Sequence, residues 1–149
     1  QNDYYCNTCT AAATIYYNNI CYSTCPTGTY VSSTGSSLNT CVPCTSPCLS
    51  CSTISSCLSC ITGYYLYLSQ CVLACPSRYF VNLDTRVCDA CSSNCQTCVS
   101  STNCTACLTT FSILNGLCTD TCPIKTYIAT ISGIQYCKNC TAYCAQCTS

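Results

Sequence analysis

Apolar residues in this chain come in short, scattered pieces. Tyr64–Leu68 and Val72–Ala74 are the longest, and a bilayer-spanning helix needs about 20 such residues in a row. No window repeats its apolar positions every 3.6 residues, so almost no helix is expected. The pattern predicts small β-hairpins instead. Turn residues Thr62-Gly63 and Asn115-Gly116 flank the apolar pieces Tyr64–Leu68 and Phe111–Leu114. Extended stretches such as Tyr30-Val31 and Tyr79-Phe80-Val81 follow a Cys-Pro step, where proline fixes a turn.

Cysteine organises everything between these pieces. The chain has 149 residues, and 24 of them are cysteine. From Cys41 the series runs Cys41, Cys44, Cys48, Cys51, Cys57, Cys60, Cys71, Cys75. The same seven intervals recur in Cys88, Cys91, Cys95, Cys98, Cys104, Cys107, Cys118, Cys122. A further copy is cut across the two ends, as Cys6, Cys9, Cys21, Cys25 and as Cys137, Cys140, Cys144, Cys147. The expected division is a half repeat over 1–40, full repeats over 41–87 and 88–136, and the start of another over 137–149. Each copy's last cysteine is followed by proline, with an aromatic five residues beyond that cysteine: Tyr30, Phe80 and Tyr127. These rings are expected to pack on neighbouring disulfides as miniature cores, and a ligand site is the other reading.

Composition sets the compartment. So many thiols would stay free and reactive in a reducing cytosol, so the segment is expected to be extracellular, secreted or at a cell surface. No signal peptide is visible, and the segment is read as mature or excised, with no membrane insertion of its own. Charged residues make up 5% of the chain and cancel to zero, which argues against nucleic acid or an anionic membrane as a partner. Histidine and glutamate are absent, removing most general acid–base chemistry. An enzyme is not expected, and no catalytic or cofactor-binding residues are assigned.

The series C-x2-C-x3-C-x2-C-x5-C-x2-C-x10-C-x3-C-P resembles the furin-like, growth-factor-receptor type of cysteine-rich repeat, over essentially the whole chain. The Ser/Thr/Tyr-rich filler is most similar to the arrays of ciliate and other protist surface proteins. The resemblance implies a small disulfide-rich fold, an elongated rod of tandem β-hairpins and loops without catalytic residues. Carried over from R-spondin-type modules, it also implies a pairing: Cys44 with Cys51, Cys48 with Cys57, Cys60 with Cys71, and Cys75 with Cys88. The next copy gives Cys91 with Cys98, Cys95 with Cys104, Cys107 with Cys118, and Cys122 with Cys137. The partial copies add Cys9 with Cys21, Cys25 with Cys41, and Cys140 with Cys147. A rival register pairs first with third and second with fourth in each group of four, such as Cys41 with Cys48, and spacing alone leaves both open.

Other readings of the same residues are weaker. Nine CxxC pairs could suggest four-thiolate zinc sites, but each would carry a charge near −2. Arg78, Arg86, Lys125 and Lys138 are too few to balance them, so no metal is expected. Thioredoxin-like chemistry needs a βαβ scaffold that the pattern lacks. Asp3, Asp84, Asp89 and Asp120 show no pairing, and read as solvated or turn residues rather than a weak calcium site. The 13 tyrosines read mainly as strand faces covering disulfides, with an adhesive or carbohydrate-stacking surface as the functional alternative. Asn103-Cys104-Thr105 and Asn139-Cys140-Thr141 match the N-glycosylation pattern, making Asn103 and Asn139 the glycan candidates. Ser32–Ser37 is an O-glycan or flexible-loop stretch.

The expected function is structural: a disulfide-stapled rod in a filament, fibre or surface coat, with the protein itself as partner and covalent glycans. An extracellular binding or adhesion module, recognising a receptor or ligand in the manner of an R-spondin, is the alternative. The implied pairing leaves Cys6 and Cys144, which occupy repeat positions that bond elsewhere in the chain. They are expected to join head to tail, Cys144 of one unit to Cys6 of the next.

Overall fold

The computed structural model describes residues 9, 14–33, 39–141, 144 and 147. Among them there is no helix. Sixteen strands pair consecutively into eight hairpins, divided between two compact units, Gln1–Leu73 and Ala74–Ser149.

In the first unit, β1 (Ile15–Tyr17) and β2 (Ile20–Tyr22) form one hairpin, and β3 (Thr29–Ser32) and β4 (Asn39–Pro43) the next. Strand β1 also runs parallel to β4, giving the sheet order β2-β1-β4-β3. β5 (Cys48–Thr53) pairs with β6 (Ser56–Cys60), and β7 (Tyr65–Tyr67) with β8 (Gln70–Val72). The second unit contains β9 (Tyr79–Asn82) with β10 (Val87–Ala90), and β11 (Cys95–Ser100) with β12 (Asn103–Cys107). It ends in β13 (Ser112–Leu114), β14 (Leu117–Thr119), β15 (Thr126–Ile131) and β16 (Ile134–Asn139), in the order β14-β13-β16-β15 with β13 and β16 parallel.

Local chemistry explains these hairpins. Two-residue turns with left-handed backbone at both positions match the twist of paired strands. They stand at Asn18-Asn19, Leu68-Ser69, Asn115-Gly116 and Ser132-Gly133. Asparagine and glycine are the usual occupants, so Leu68 is an exception. It is the tip of the β7–β8 hairpin, so the apolar piece Tyr64–Leu68 supplies strand β7 and the first turn residue of the short hairpin expected there.

Each Cys-Pro step opens a second kind of turn. The amides of Thr29, Tyr79 and Thr126 donate to the carbonyls of Pro26, Pro76 and Pro123, each at 3.1 Å. The residue just before each donor is left-handed: Gly28, Arg78 and Lys125, with φ of 82°, 71° and 66°. Its carbonyl accepts the amide of the cysteine entering the next hairpin, Cys44, Cys91 or Cys140, at 2.8 Å in every case. The proline turn therefore sets where the following β-hairpin begins. Strands β5–β6 and β11–β12 each carry register shifts, the mark of bulges that bend and twist a hairpin.

The interior is mostly sulfur. Among the described residues the buried set is Cys41, Cys51, Cys57, Cys88, Cys95 and Cys104, with Ile15, Ile113 and Ser112. Ile15 opens β1 as Ser112 opens β13, and Ile113 follows Ser112 at the middle of its strand. Tyr30, Phe80 and Tyr127 lie on β3, β9 and β15 but are half-buried, so they cover the interior rather than form it. Every described tyrosine is likewise half-buried.

Candidate functional site

The hairpins place the cysteines, and among the described residues eleven disulfides join them. The first unit holds Cys9–Cys21, Cys25–Cys41, Cys44–Cys51, Cys48–Cys57 and Cys60–Cys71. The second holds Cys75–Cys88, Cys91–Cys98, Cys95–Cys104, Cys107–Cys118, Cys122–Cys137 and Cys140–Cys147. Cα–Cα distances run from 5.3 to 5.8 Å, inside the range a disulfide bridges without moving backbone. Cys41 thus bonds Cys25 and not Cys48, as the rival register would have it.

The bonded partners are not the residues directly opposite on the strands. Cys95 stands across from Cys107 and Cys98 from Cys104, yet Cys95 bonds Cys104 on the diagonal. This leaves successive disulfides stacked. Cys104 Sγ lies 3.3 Å from Cys118 Sγ and 4.0 Å from Cys107 Sγ, so one bond packs against the next. Dispersion between polarisable sulfurs here replaces the side-chain contacts of an ordinary core.

Three groups of sulfurs come within 4.8 Å of one another: Cys48, Cys57 and Cys71; Cys91, Cys95 and Cys98; and Cys95, Cys104 and Cys118. Every member is already in a disulfide. A bonded sulfur carries no thiolate charge with which to hold zinc, so this donor set suits stacked disulfides.

Asn103 and Asn139 are both exposed, at the start of β12 and the end of β16. Cys144 is half-buried, and its amide donates to the Thr141 carbonyl at 3.1 Å. Cys6 lies outside the described residues, and so does the expected bond between Cys6 and Cys144.

One feature escaped the sequence reading. A cleft of about 310 Å³ in the second unit is lined by the Leu108–Phe111 turn and the tip of the β15–β16 hairpin. Cys122 and Cys137 are 15 residues apart where Cys75 and Cys88 of the preceding copy are 13, and Cys25 and Cys41 are 16. The two extra residues lengthen the hairpin.

Peptide mapping of the unreduced protein is expected to recover the Cys75 peptide joined to the Cys88 peptide. Recovery of Cys41 joined to Cys48 would contradict the bonds described above.

A model of the furin-like, cysteine-rich repeat matches residues 6–88 and 68–132. R-spondin-3 of Homo sapiens, Bos taurus and Mus musculus is each 33% identical over 66 residues, 44% of this chain. The match spans about a quarter of those relatives' length, 24%. Furin-like repeats are non-enzymatic modules typical of extracellular, secreted proteins. No helix among the described residues is long and apolar enough to cross a membrane. With the repeat matched from Cys6 into β15, the chain belongs to the furin-like, cysteine-rich repeat family.

Proposed function

We propose that the chain is a structural module of an extracellular filament, fibre or coat, in which neighbouring copies cover its sparsely charged surface. One observation carries this reading. Large apolar side chains stand in solvent, with Ile124 85% exposed, Leu83 79%, Leu68 75% and Leu73 69%. Single exposed leucines are normal on soluble proteins. Here charged residues are 5% of the chain against about 25% in ordinary domains, so little else keeps that surface hydrated. N-glycans on Asn103 and Asn139 would cover part of it.

Negative-stain microscopy and light scattering of native, enzymatically deglycosylated protein test the proposal. Assemblies that persist after glycan removal are expected. A monodisperse monomer at all concentrations would overturn it.

The match to R-spondin-3 favours a second reading, in which the module presents one face to a different protein. Chemical cross-linking at the native surface separates the two. The structural reading expects links between copies of this chain, and the second expects links to another species.

A further inference from the structure

Two features bordering the cleft in the second unit differ from the copy of the repeat that precedes them. The first is a backbone conformation. The turn Ile61–Tyr64 closes with the Tyr64 amide on the Ile61 carbonyl at 3.2 Å, and Gly63 takes φ of 93°. The corresponding turn closes with the Phe111 amide on the Leu108 carbonyl at 3.1 Å, but Thr110 holds φ of 94°. A β-branched residue is strained in that region, where glycine is at ease. Such strain persists where the surroundings or a function require the side chain. The second departure is the hairpin. Strands β15 and β16 are six residues each, where β9 and β10 are four. The added rungs pair Thr130 with Gln135 and Ile131 with Ile134.

We propose that this cleft binds an uncharged saccharide. Its volume is at the low end of ligand sites, enough for a short oligosaccharide segment rather than a large ligand. Phe111 offers a half-buried aromatic ring, flanked by Leu108 and Ile134. Thr110, Thr130 and Gln135 are exposed and offer two hydroxyls and an amide. No charged side chain lines the cleft, so an ionic ligand would lose its hydration without gaining a counter-charge. A purely apolar ligand would leave the hydroxyls and amide unpaired. A neutral sugar ring matches both halves, with a C–H face for the aromatic ring and hydroxyls for the rim. The site stands whether or not the chain assembles into a filament.

Saturation-transfer NMR on the disulfide-intact chain tests this, with neutral trisaccharides of mannose, N-acetylglucosamine and glucose as probes. Sialyllactose and a heparin tetrasaccharide serve as acidic controls. Each is run with the chain's own N-glycans present and enzymatically removed. Binding of a neutral probe in both forms is expected for a free or foreign glycan. Binding that emerges only after glycan removal would identify the chain's own glycan as occupant of the same site. Phe111→Ala is expected to weaken binding about tenfold, and Phe111→Leu gives the same answer if the alanine variant folds poorly. Thr110→Gly carries the sharper signature, since it relieves strain while removing a hydroxyl. It should raise the melting temperature by about 4 °C and still weaken binding. No saturation transfer from any neutral probe at about 10 mM, a concentration above weak lectin-type affinities, would overturn the proposal. So would equal binding of the acidic controls, or binding unmoved by all three substitutions.

Discussion

Reduction of the native protein with excess dithiol is expected to abolish the fold of both units, with no residual cooperative transition on heating. The bonds close loops of 7 to 16 residues. Each such closure restricts the unfolded chain by about 2–3 kcal/mol. Eleven of them together exceed the net stability of about 5–15 kcal/mol that a domain ordinarily has. The loss cannot be absorbed elsewhere, because most of the buried set is itself half-cystine. Near- and far-ultraviolet circular dichroism before and after reduction measures this. Retention of a sharp thermal transition in the fully reduced, alkylated chain would contradict it. The double substitution Cys95→Ala with Cys104→Ala is the local version. Cys95 is fully buried and Cys104 is 3% exposed, so the second unit should lose about 2–5 kcal/mol from this pair alone.

Gly116→Ala is the second substitution expected to act strongly. Gly116 and Gly133 both take φ of 82°, the second position of a two-residue hairpin turn. Their surroundings differ. A Cβ on Gly116 would lie 2.7 Å from the Thr102 carbonyl oxygen and 3.4 Å from the Asn103 Cα, both backbone atoms. A Cβ on Gly133 would meet nothing within 4 Å. Alanine at 133 therefore pays for left-handed backbone alone, about 1 kcal/mol. Alanine at 116 must also push the β13–β14 hairpin away from β12. That movement stretches the 2.7 Å bond from the Cys104 amide to the Gly116 carbonyl, beside the most deeply buried disulfide. A total of about 3 kcal/mol is expected, combining backbone and overpacking costs. Ser69 occupies the corresponding turn of the first unit, with its carbonyl 2.8 Å from the Cys57 amide. That hairpin already stands where a side chain fits. Chemical denaturation of the two alanine variants checks the difference, and equal midpoints would refute it.

The fold class was readable because cysteine and proline punctuate the chain so densely. A Cys-Pro step with an aromatic five residues after the cysteine leads into β3, β9 and β15, where the extended stretches were expected. The tips of the hairpins were less readable. Asn115-Gly116 carries its own turn chemistry, whereas Leu68-Ser69 does not. Leu68 is bent by the pairing of β7 with β8, a tertiary demand that overrides the residue's preference. Spacing left the disulfide register open for a related reason. Both registers join Cys44 to Cys51, and what separates them is a diagonal across bulged strands that counting residues does not reveal. The cleft was hidden because it arises from two small differences from the preceding copy, Thr110 where that copy has Gly63 and a hairpin two residues longer. Aligning the repeats against one another would have exposed both.

An interior of sulfur also has a thermal consequence. The heat capacity of unfolding comes chiefly from exposing hydrocarbon to water. Ile15 and Ile113 are the only buried aliphatic side chains among the described residues, so that change should be small for a chain of this length. A small heat-capacity change flattens the curve of stability against temperature. It moves cold denaturation far below freezing and delays the fall in stability on heating. Cold and moderate heat should therefore leave the oxidised module nearly untouched. The variable that decides its lifetime is the redox poise of its surroundings rather than their temperature.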